Sequence, residues 1–198
     1  ELVATPNPVK NGAEVTITGK DLDLVTGVAF PNGNDTTVTL GSTIKAIVPI
    51  TAQEKDADGN GIALSLANGK KVFVAYTLVQ PTVASCTPAA ITAGERVIIK
   101  GTDLDLVESI TFPGDVEQTV NEIKGTSSNI VVTIPTACAG TGFKLNLKNG
   151  TTVEVKDGLS IKAATDPAIA SITPGEAIAG EQITITGKNF QNVEALYI

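Results

Sequence analysis

The chain has 198 residues, a net charge of -7 and no histidine. The acidic balance leaves no basic surface for phosphate groups, which excludes nucleic acid as a partner. No stretch reaches the roughly 20 consecutive apolar residues that a membrane-spanning helix needs, so we expect no transmembrane segment. Aromatic residues are only 4% while Val, Ile, Thr and Gly abound, a composition typical of many short strands joined by turns.

An internal repeat organises the chain. A pattern of Thr-Pro, then Gly, then an apolar strand that ends in glycine closes at Gly19 and returns at Gly101, an offset of 82 (101 minus 19). A third copy closes at Gly187, an offset of 86 (187 minus 101). The second half of the unit also repeats, with its Asn-Gly pair returning after 81 residues (149 minus 68). Repetition in both halves predicts tandem units. The predicted units are module 1 at residues 1–79, module 2 at 80–166 and the start of module 3 at 167–198.

The first unit has strands that alternate apolar and polar residues. Val15 and Ile17 are predicted to face a core while the threonines beside them face water. Val28 and Phe30 continue the pattern on the next strand. Asn68-Gly69 lies between two alternating runs, and Asn-Gly favours the positive φ angles of a type I′ turn, so we expect a β-hairpin there.

The second unit contains about seven short strands, with a second hairpin expected at Asn149-Gly150. The predicted strands cover residues 82–86, 95–100, 109–112, 117–123, 130–134, 143–148, 151–155 and 159–162. This number of short strands in one unit is typical of an immunoglobulin-like β-sandwich. The predicted fold class is therefore all-β, with two complete tandem sandwiches and a third unit too short to close.

The junctions between units contain proline. Gln80-Pro81 and Asp166-Pro167 stand at equivalent places, just after a strand. Proline disfavours helix in the preceding residue and stiffens the connection. We therefore expect limited bending between modules. By the same repeat, residue 1 falls just inside module 1, so we expect native sequence before Glu1. We also expect that any export signal has already been removed.

These repeated residues resemble the opening half of IPT/TIG domains. The resemblance is carried by Thr-Pro, a glycine, a Val-Thr-Ile-Thr-Gly strand ending at Gly19, an apolar residue that plugs the sandwich and a short Val-x-Phe strand. It extends over the chain as successive modules. The acidic, Thr-rich tandem form, with its Asp-Leu-Asp-Leu-Val segment, is similar to surface glycan-binding lipoproteins of Bacteroidetes-type bacteria.

The resemblance implies a non-catalytic extracellular segment of a bacterial surface protein. In such proteins tandem modules act as a spacer that presents a glycan-binding or adhesive domain, and a lipid anchor lies outside this chain. The expected partners are polysaccharides or cell-surface proteins, met through the full-length protein. Two alternatives stay open: the modules themselves bind a polysaccharide or a host protein, or the chain is an accessory region of a secreted glycoside-active enzyme.

A candidate calcium loop is the one cofactor site that the sequence suggests. Asp56, Asp58 and Asn60 place oxygen ligands at alternate positions and a glycine follows, as in the first half of a calcium loop. Ala67 stands where a bidentate glutamate belongs, which excludes an EF-hand. The alternative is a solvated loop in which these residues serve turn geometry.

Paired acids offer the nearest approach to catalytic chemistry. Asp21 with Asp23, and Asp103 with Asp105, could supply the two carboxylates of glycoside hydrolysis. Their repetition in both modules and their alternation with leucine favour a structural interpretation, in which the acids face water and the leucines plug the sandwich. The third copy has Asn189 and Gln191 instead. Without histidine, the serines and threonines have no partner for nucleophilic catalysis, and we expect no enzyme activity.

Surface aromatic residues are the feature expected of a sugar-binding module, because sugar faces stack on flat apolar rings. The chain has no tryptophan. Phe73 and Tyr76 are the candidates for ligand binding, with Tyr197 a third surface aromatic. The two cysteines, Cys86 and Cys138, form no C-x-x-C pair and are predicted to lie at the same end of module 2, so they are a candidate disulfide. The alternative is two partly buried free thiols.

Overall fold

A computed structural model describes residues 1–33, 36–165, 167–190, 193 and 195–196. Asp166, Gln191 and Tyr197, which entered the sequence-based expectations, lie outside the described residues. The chain is nearly all β, as predicted, with its strands arranged in immunoglobulin-like sandwiches. Among the described residues, no helix is long and apolar enough to cross a bilayer.

Module 1 is a sandwich of two antiparallel sheets. Its strands are β1 (Val3–Thr5), β2 (Glu14–Thr18), β3 (Val25–Ala29), β4 (Val38–Thr39), β5 (Ile44–Ile47), β6 (Ile62–Leu66) and β7 (Lys71–Val74). One sheet has the order β1-β2-β5-β4 and the other β3-β6-β7. A 3₁₀ turn at Leu22–Leu24 connects the sheets between β2 and β3.

Module 2 repeats this plan with a larger second sheet. Its strands are β8 (Thr82–Thr87), β9 (Ala90–Thr92), β10 (Arg96–Thr102), β11 (Val107–Phe112), β12 (Gln118–Val120), β13 (Lys124–Gly125), β14 (Asn129–Thr133), β15 (Gly140–Leu147) and β16 (Thr152–Lys162). The sheets have the orders β13-β14-β10-β8 and β12-β11-β15-β16-β9. The equivalent 3₁₀ turn is Leu104–Leu106.

Two details of module 2 differ from the sequence-based expectation. The predicted strands at 151–155 and 159–162 form the single strand β16, with a bulge between them. Thr141 pairs with Ser160 and Phe143 with Val155, so residues 156–159 of β16 lie opposite Gly142 alone, and Gly158 has a φ of 92°. The short strand β9 was missed; it pairs in parallel with β16 after the chain leaves the sheet of β8. Its three residues carry too little periodicity to be detected.

Both predicted hairpins are present, but their turn type was predicted wrongly. A type I′ turn needs positive φ at both central residues. Here only the glycine of each Asn-Gly pair has it, at 80° for Gly69 and 79° for Gly150. Gly69 N–H donates to the carbonyl of Leu66, and the amide oxygen of Asn68 accepts from the N–H of Lys70. Asparagine therefore acts through its side chain, and each loop is a three-residue turn that ends in a left-handed glycine.

Each module has its own core of buried side chains, one drawn from residues 4–78 and the other from residues 86–161. Leu22 and Leu104 are 2% and 1% exposed, which confirms that they plug the sandwiches. Phe30 and Phe112 lie in the cores as predicted. Of module 3, the structure describes the antiparallel strands β17 (Ala168–Thr173) and β18 (Thr184–Lys188).

Candidate functional site: the junction between modules 1 and 2

The linker between the modules is very short. The N–H of Val79 donates to the carbonyl of Val9 at 2.9 Å, so module 1 holds the chain up to that residue. Module 2 begins at Thr82, the first residue of β8. Only Gln80 and the buried Pro81 lie between them. Two residues, one of them with its φ fixed by the proline ring, leave little freedom for the modules to swing.

An ion-paired contact ties the two modules together. The ammonium group of Lys10 in module 1 lies 2.8 Å from Oδ1 of Asp103 and 2.8 Å from Oδ1 of Asp105 in module 2. The side chains of these residues are 29%, 30% and 45% exposed, so the contact is partly shielded from water. Partial burial makes such a pair stronger than a fully solvated one.

The Asn149-Gly150 hairpin of module 2 forms a second contact. Asn149 Nδ2 donates to the carbonyl of Ala52 at 3.3 Å, and Gln53 Nε2 donates to the carbonyl of Asn149 at 3.0 Å. The buried Asn11 orders the receiving loop, because its Nδ2 donates to the carbonyls of both Pro49 and Ala52. Asn149 is 4% exposed, whereas Asn68, its equivalent in module 1, is exposed. The hairpin tip is therefore buried only where two modules meet.

Leu106 is a buried apolar residue beside the junction. It is 5% exposed, although it belongs to neither core, and Asp105 beside it bonds to Lys10. Its equivalent in module 1, Leu24, is 57% exposed. The equivalent leucines therefore differ in burial, and the buried one is next to the ion-paired residue of the junction. Full burial of a leucine side chain contributes about 1.5–3 kcal/mol before ordering costs.

The junction should depend on pH at both extremes. The hydrogen bond from Lys10 lowers the pKa of Asp105 below its ordinary value of 3.8. For Lys10, burial opposes the charged form, but hydrogen bonds to Asp103 and Asp105 outweigh it and raise its pKa above 10.5. A lowered acid pKa contributes stability above pH 3.8 that is lost as pH falls through the folded value. A raised lysine pKa contributes stability below pH 10.5 that is lost as pH rises through the folded value.

We therefore expect a plateau between about pH 4 and pH 10. Lys10→Gln should reduce the free energy of unfolding measured in urea at pH 7, and this difference from the wild type should shrink at pH 3. A difference of the same size at both pH values would contradict the pairing.

The paired acids have backbone and junction roles. Asp21 and Asp103 have left-handed φ angles of 59° and 54° and immediately precede the two 3₁₀ turns. Aspartate and asparagine tolerate this conformation better than other residues with a side chain, and Asn189 of the third copy also has it, with a φ of 62°. The structural interpretation of the pairs is supported, and the bond to Lys10 is the part that sequence reasoning missed.

The candidate calcium loop is closed by its own hydrogen bonds. Oδ1 of Asp56 accepts from the N–H groups of Asp58 and Asn60 at 3.0 and 2.8 Å, and Oδ2 accepts from Asn60 Nδ2 at 3.3 Å. These bonds, that from the Asn60 N–H first, lower the pKa of Asp56. Within the described residues, no three acidic, cysteine or histidine side chains gather as metal ligands. The bonds support turn geometry as the role of this loop.

The prediction of Tyr76 as a surface aromatic was wrong. Its ring is 4% exposed, packs edge-on against Phe30, and lies in the core of module 1. Its hydroxyl donates to the carbonyl of Gln53, and burial followed by the charge of Glu54 raises its pKa. The buried polar tip explains why a tyrosine fits there. Phe73, by contrast, is 43% exposed on β7, as predicted.

The candidate disulfide is not formed. Cys86 and Cys138 are free thiols, 6% and 1% exposed, within the core of module 2, and burial raises the pKa of both. In module 1, Ala4 corresponds to Cys86 by the repeat. Ala52 corresponds to Cys138, because the N–H of each donates to the carbonyl of the proline three residues earlier. Small apolar side chains are what these positions require, so the cysteines act as packing residues.

The fold and the junction together define a protein of tandem immunoglobulin-like β-sandwich modules. The chain is similar to an IPT/TIG domain-containing protein from Bacteroides ovatus, with 27% identity over 123 residues, which is 60% of this chain and 25% of the relative. This confirms the resemblance to IPT/TIG proteins of Bacteroidetes. The chain thus spans a quarter of the length of that relative. No family model matches it.

Two solved structures are similar at low identity. One is the surface glycan-binding protein PbSGBP-B from Prevotella bryantii, with 16% identity, coverage of 77% of this chain and 39% of that one, and a TM-score of 0.37. The other is SGBP-B of the Bacteroides ovatus mixed-linkage glucan utilization locus, in complex with a mixed-linkage heptasaccharide. It has 18% identity, coverage of 81% and 43%, and a TM-score of 0.34.

Proposed function

We propose that this chain is a non-catalytic extracellular segment of a bacterial surface protein and acts as a semi-rigid spacer. It holds a glycan-binding or adhesive domain of the full-length protein away from the cell. The observation that carries the proposal is the junction, where a two-residue linker, the Lys10 ion pairs and the buried Leu106 all restrict bending. A flexible tether would need none of these contacts.

The surface location and the class of partner follow from the resemblance to IPT/TIG surface proteins. The relative from Bacteroides ovatus supports a bacterial source of this kind. We infer polysaccharide as the partner of the full-length protein, and a lipid anchor outside this chain as its attachment to the outer membrane.

A glycan-array screen of this chain beside the full-length protein, with and without calcium, tests the spacer function. The expected result is binding by the full-length protein and none by the chain. Binding by the chain alone would overturn a pure spacer role. Binding that requires calcium would also return attention to the loop of Asp56.

A second function, direct sugar binding by module 1, is favoured by one observation. Across the outer face of β3, β6 and β7, Ala29, Ala63 and Phe73 stand in register on adjacent strands. Two methyl groups beside an exposed ring make a flat apolar strip of the kind on which a sugar face stacks. Module 2 has Thr111, Lys144 and Glu154 in the equivalent row, where Glu154 replaces the ring.

If module 1 binds glycan, Phe73→Ala should weaken the affinity about tenfold, because the stacking ring is lost. Isothermal titration with the best glycan from the array measures this. Leu40→Ala is the matched control, since Leu40 is also 43% exposed but lies elsewhere on module 1. Equal affinity of Phe73→Ala and the wild type would exclude this face as the sugar site.

A further inference from the structure

The junction covers a face of module 2 that module 1 also possesses. On module 2 this face comprises Asp103, Asp105 and Leu106, and on module 1 it comprises Asp21, Asp23 and Leu24, which we call the module 1 docking face. The local conformations agree closely: the residues before the two 3₁₀ turns have φ and ψ of 54° and 25° in module 2 and 59° and 29° in module 1. The same backbone therefore presents the same three side chains.

The module 1 docking face is open. Leu24 is 57% exposed, Asp21 and Asp23 are exposed, and neither carboxylate is paired with a basic side chain in the part of the chain that the structure describes. Beside Leu24 runs a groove of about 330 Å³ whose apolar lining includes Leu66 and Val72. The charged residues Glu1, Lys20 and Asp21 also line this groove, so an apolar surface lies open beside one of the two acids of the module 1 docking face.

The charges on the two sides of each junction change together. Lys10, two residues before Gly12, faces the acids of module 2. Two residues before the equivalent Gly94, module 2 has Thr92, and the third copy has Asn189 and Gln191 in place of the acids. Module 1 has a basic residue where module 2 has two acids. At the corresponding positions, module 2 has a threonine where the third copy has two amides, so the base and the acids are replaced together. The acids retained on the module 1 docking face predict a base on its partner.

We propose that the module 1 docking face binds a further immunoglobulin-like module that carries a basic residue at the position of Lys10. The tip at Asn68 would then be buried against that module, as the tip at Asn149 is buried against module 1. A second copy of this chain fits poorly, since its Lys10 is already paired and its module 2 offers Thr92. The inference rests on the proposed spacer function in one respect: it assumes that the further module docks in the same way as module 1 docks on module 2.

A fused chain tests the proposal. An extra copy of residues 1–82 is placed directly before Glu1 of the whole chain. Because Glu1 corresponds to Val83 in the repeat, the added copy and module 1 are then separated in sequence as modules 1 and 2 are. All variants carry Cys86→Ala and Cys138→Ala, because module 1 uses alanine at both positions, and circular dichroism confirms folding. Single cysteines are then introduced as Leu24→Cys or Leu106→Cys, and their rates of reaction with a thiol reagent are measured.

In the unfused chain Leu24→Cys should react at least tenfold faster than Leu106→Cys. In the fused chain Leu24→Cys of the whole copy should slow to the rate of Leu106→Cys, and Lys10→Glu in the added copy should restore fast reaction. Unchanged fast reaction in the fused chain, with Leu106→Cys still protected, overturns the proposal but leaves the spacer function standing. Slow reaction of Leu24→Cys that depends on concentration in the unfused chain makes a second copy the occupant and also overturns it. Fast reaction of Leu106→Cys contradicts the junction itself, and with it the spacer function.

Discussion

Gly101→Ala is expected to destabilise module 2 by about 3 kcal/mol, as an overpacked backbone position does. A Cβ at this position would lie 1.8 Å from the carbonyl oxygen of Thr82 and 2.9 Å from its carbon. Both are backbone atoms, so no side-chain rotation relieves the clash. Thr82 is the first residue of β8 and pairs with Thr102 of β10. Gly101 pairs with Val83, next to a bulge at Ala84 of β8. The clash therefore falls where the linker enters module 2.

Urea unfolding followed by circular dichroism measures the loss, and hydrogen exchange locates it at the pairing of β8 with β10. Gly27→Ala is the matched control, because its Cβ would meet only the Cβ of Ser65, at an ordinary 3.9 Å. Module 2 has Ser109 at the equivalent position. The control should change the unfolding free energy by less than about 1 kcal/mol. A similarly small effect of Gly101→Ala would show that the strand can move aside.

Lys10→Glu is expected to uncouple the modules at a cost of about 1–2 kcal/mol, because two partly buried ion pairs become two repulsions. Small-angle X-ray scattering should show a broader distribution of inter-module distances, while the circular dichroism of the sandwiches stays unchanged. The effect should weaken in high salt, which screens the repulsion. Scattering indistinguishable from that of the wild type would mean that the linker alone sets the geometry.

Charge exchange provides the rescue. Asp105→Lys with Asp103→Asn, combined with Lys10→Glu, restores one ion pair across the junction, and asparagine preserves the left-handed conformation of residue 103. The matched control is Lys45→Glu, which makes the same charge change at an ion pair with Glu14 inside module 1. That pair is exposed, so its loss should cost less than about 1 kcal/mol and leave the scattering unchanged.

The cores and the class of fold could be predicted because period-two alternation and repetition are local signals. Val15, Ile17 and Leu104 are buried as predicted, and the hairpins lie at the two Asn-Gly pairs. The turn type was wrong because Asn-Gly is compatible with more than one loop, and the strand register decides which one forms. The repeat identifies a glycine at the end of each corresponding strand, but the close approach of Gly101 to the backbone of Thr82 is seen only in the structure.

The sequence by itself determined that this protein is nearly all β and built of repeated units. Alternation, turn residues and the repeat are encoded within short stretches, so each can be read without knowing the packing. Only the tertiary structure showed which residues make contact between the modules. Lys10 and Asp103 are 93 positions apart, and equivalent leucines are buried in one module and open in the other. Such contacts depend on how two folded sandwiches pack against each other, so no local sequence pattern predicts them.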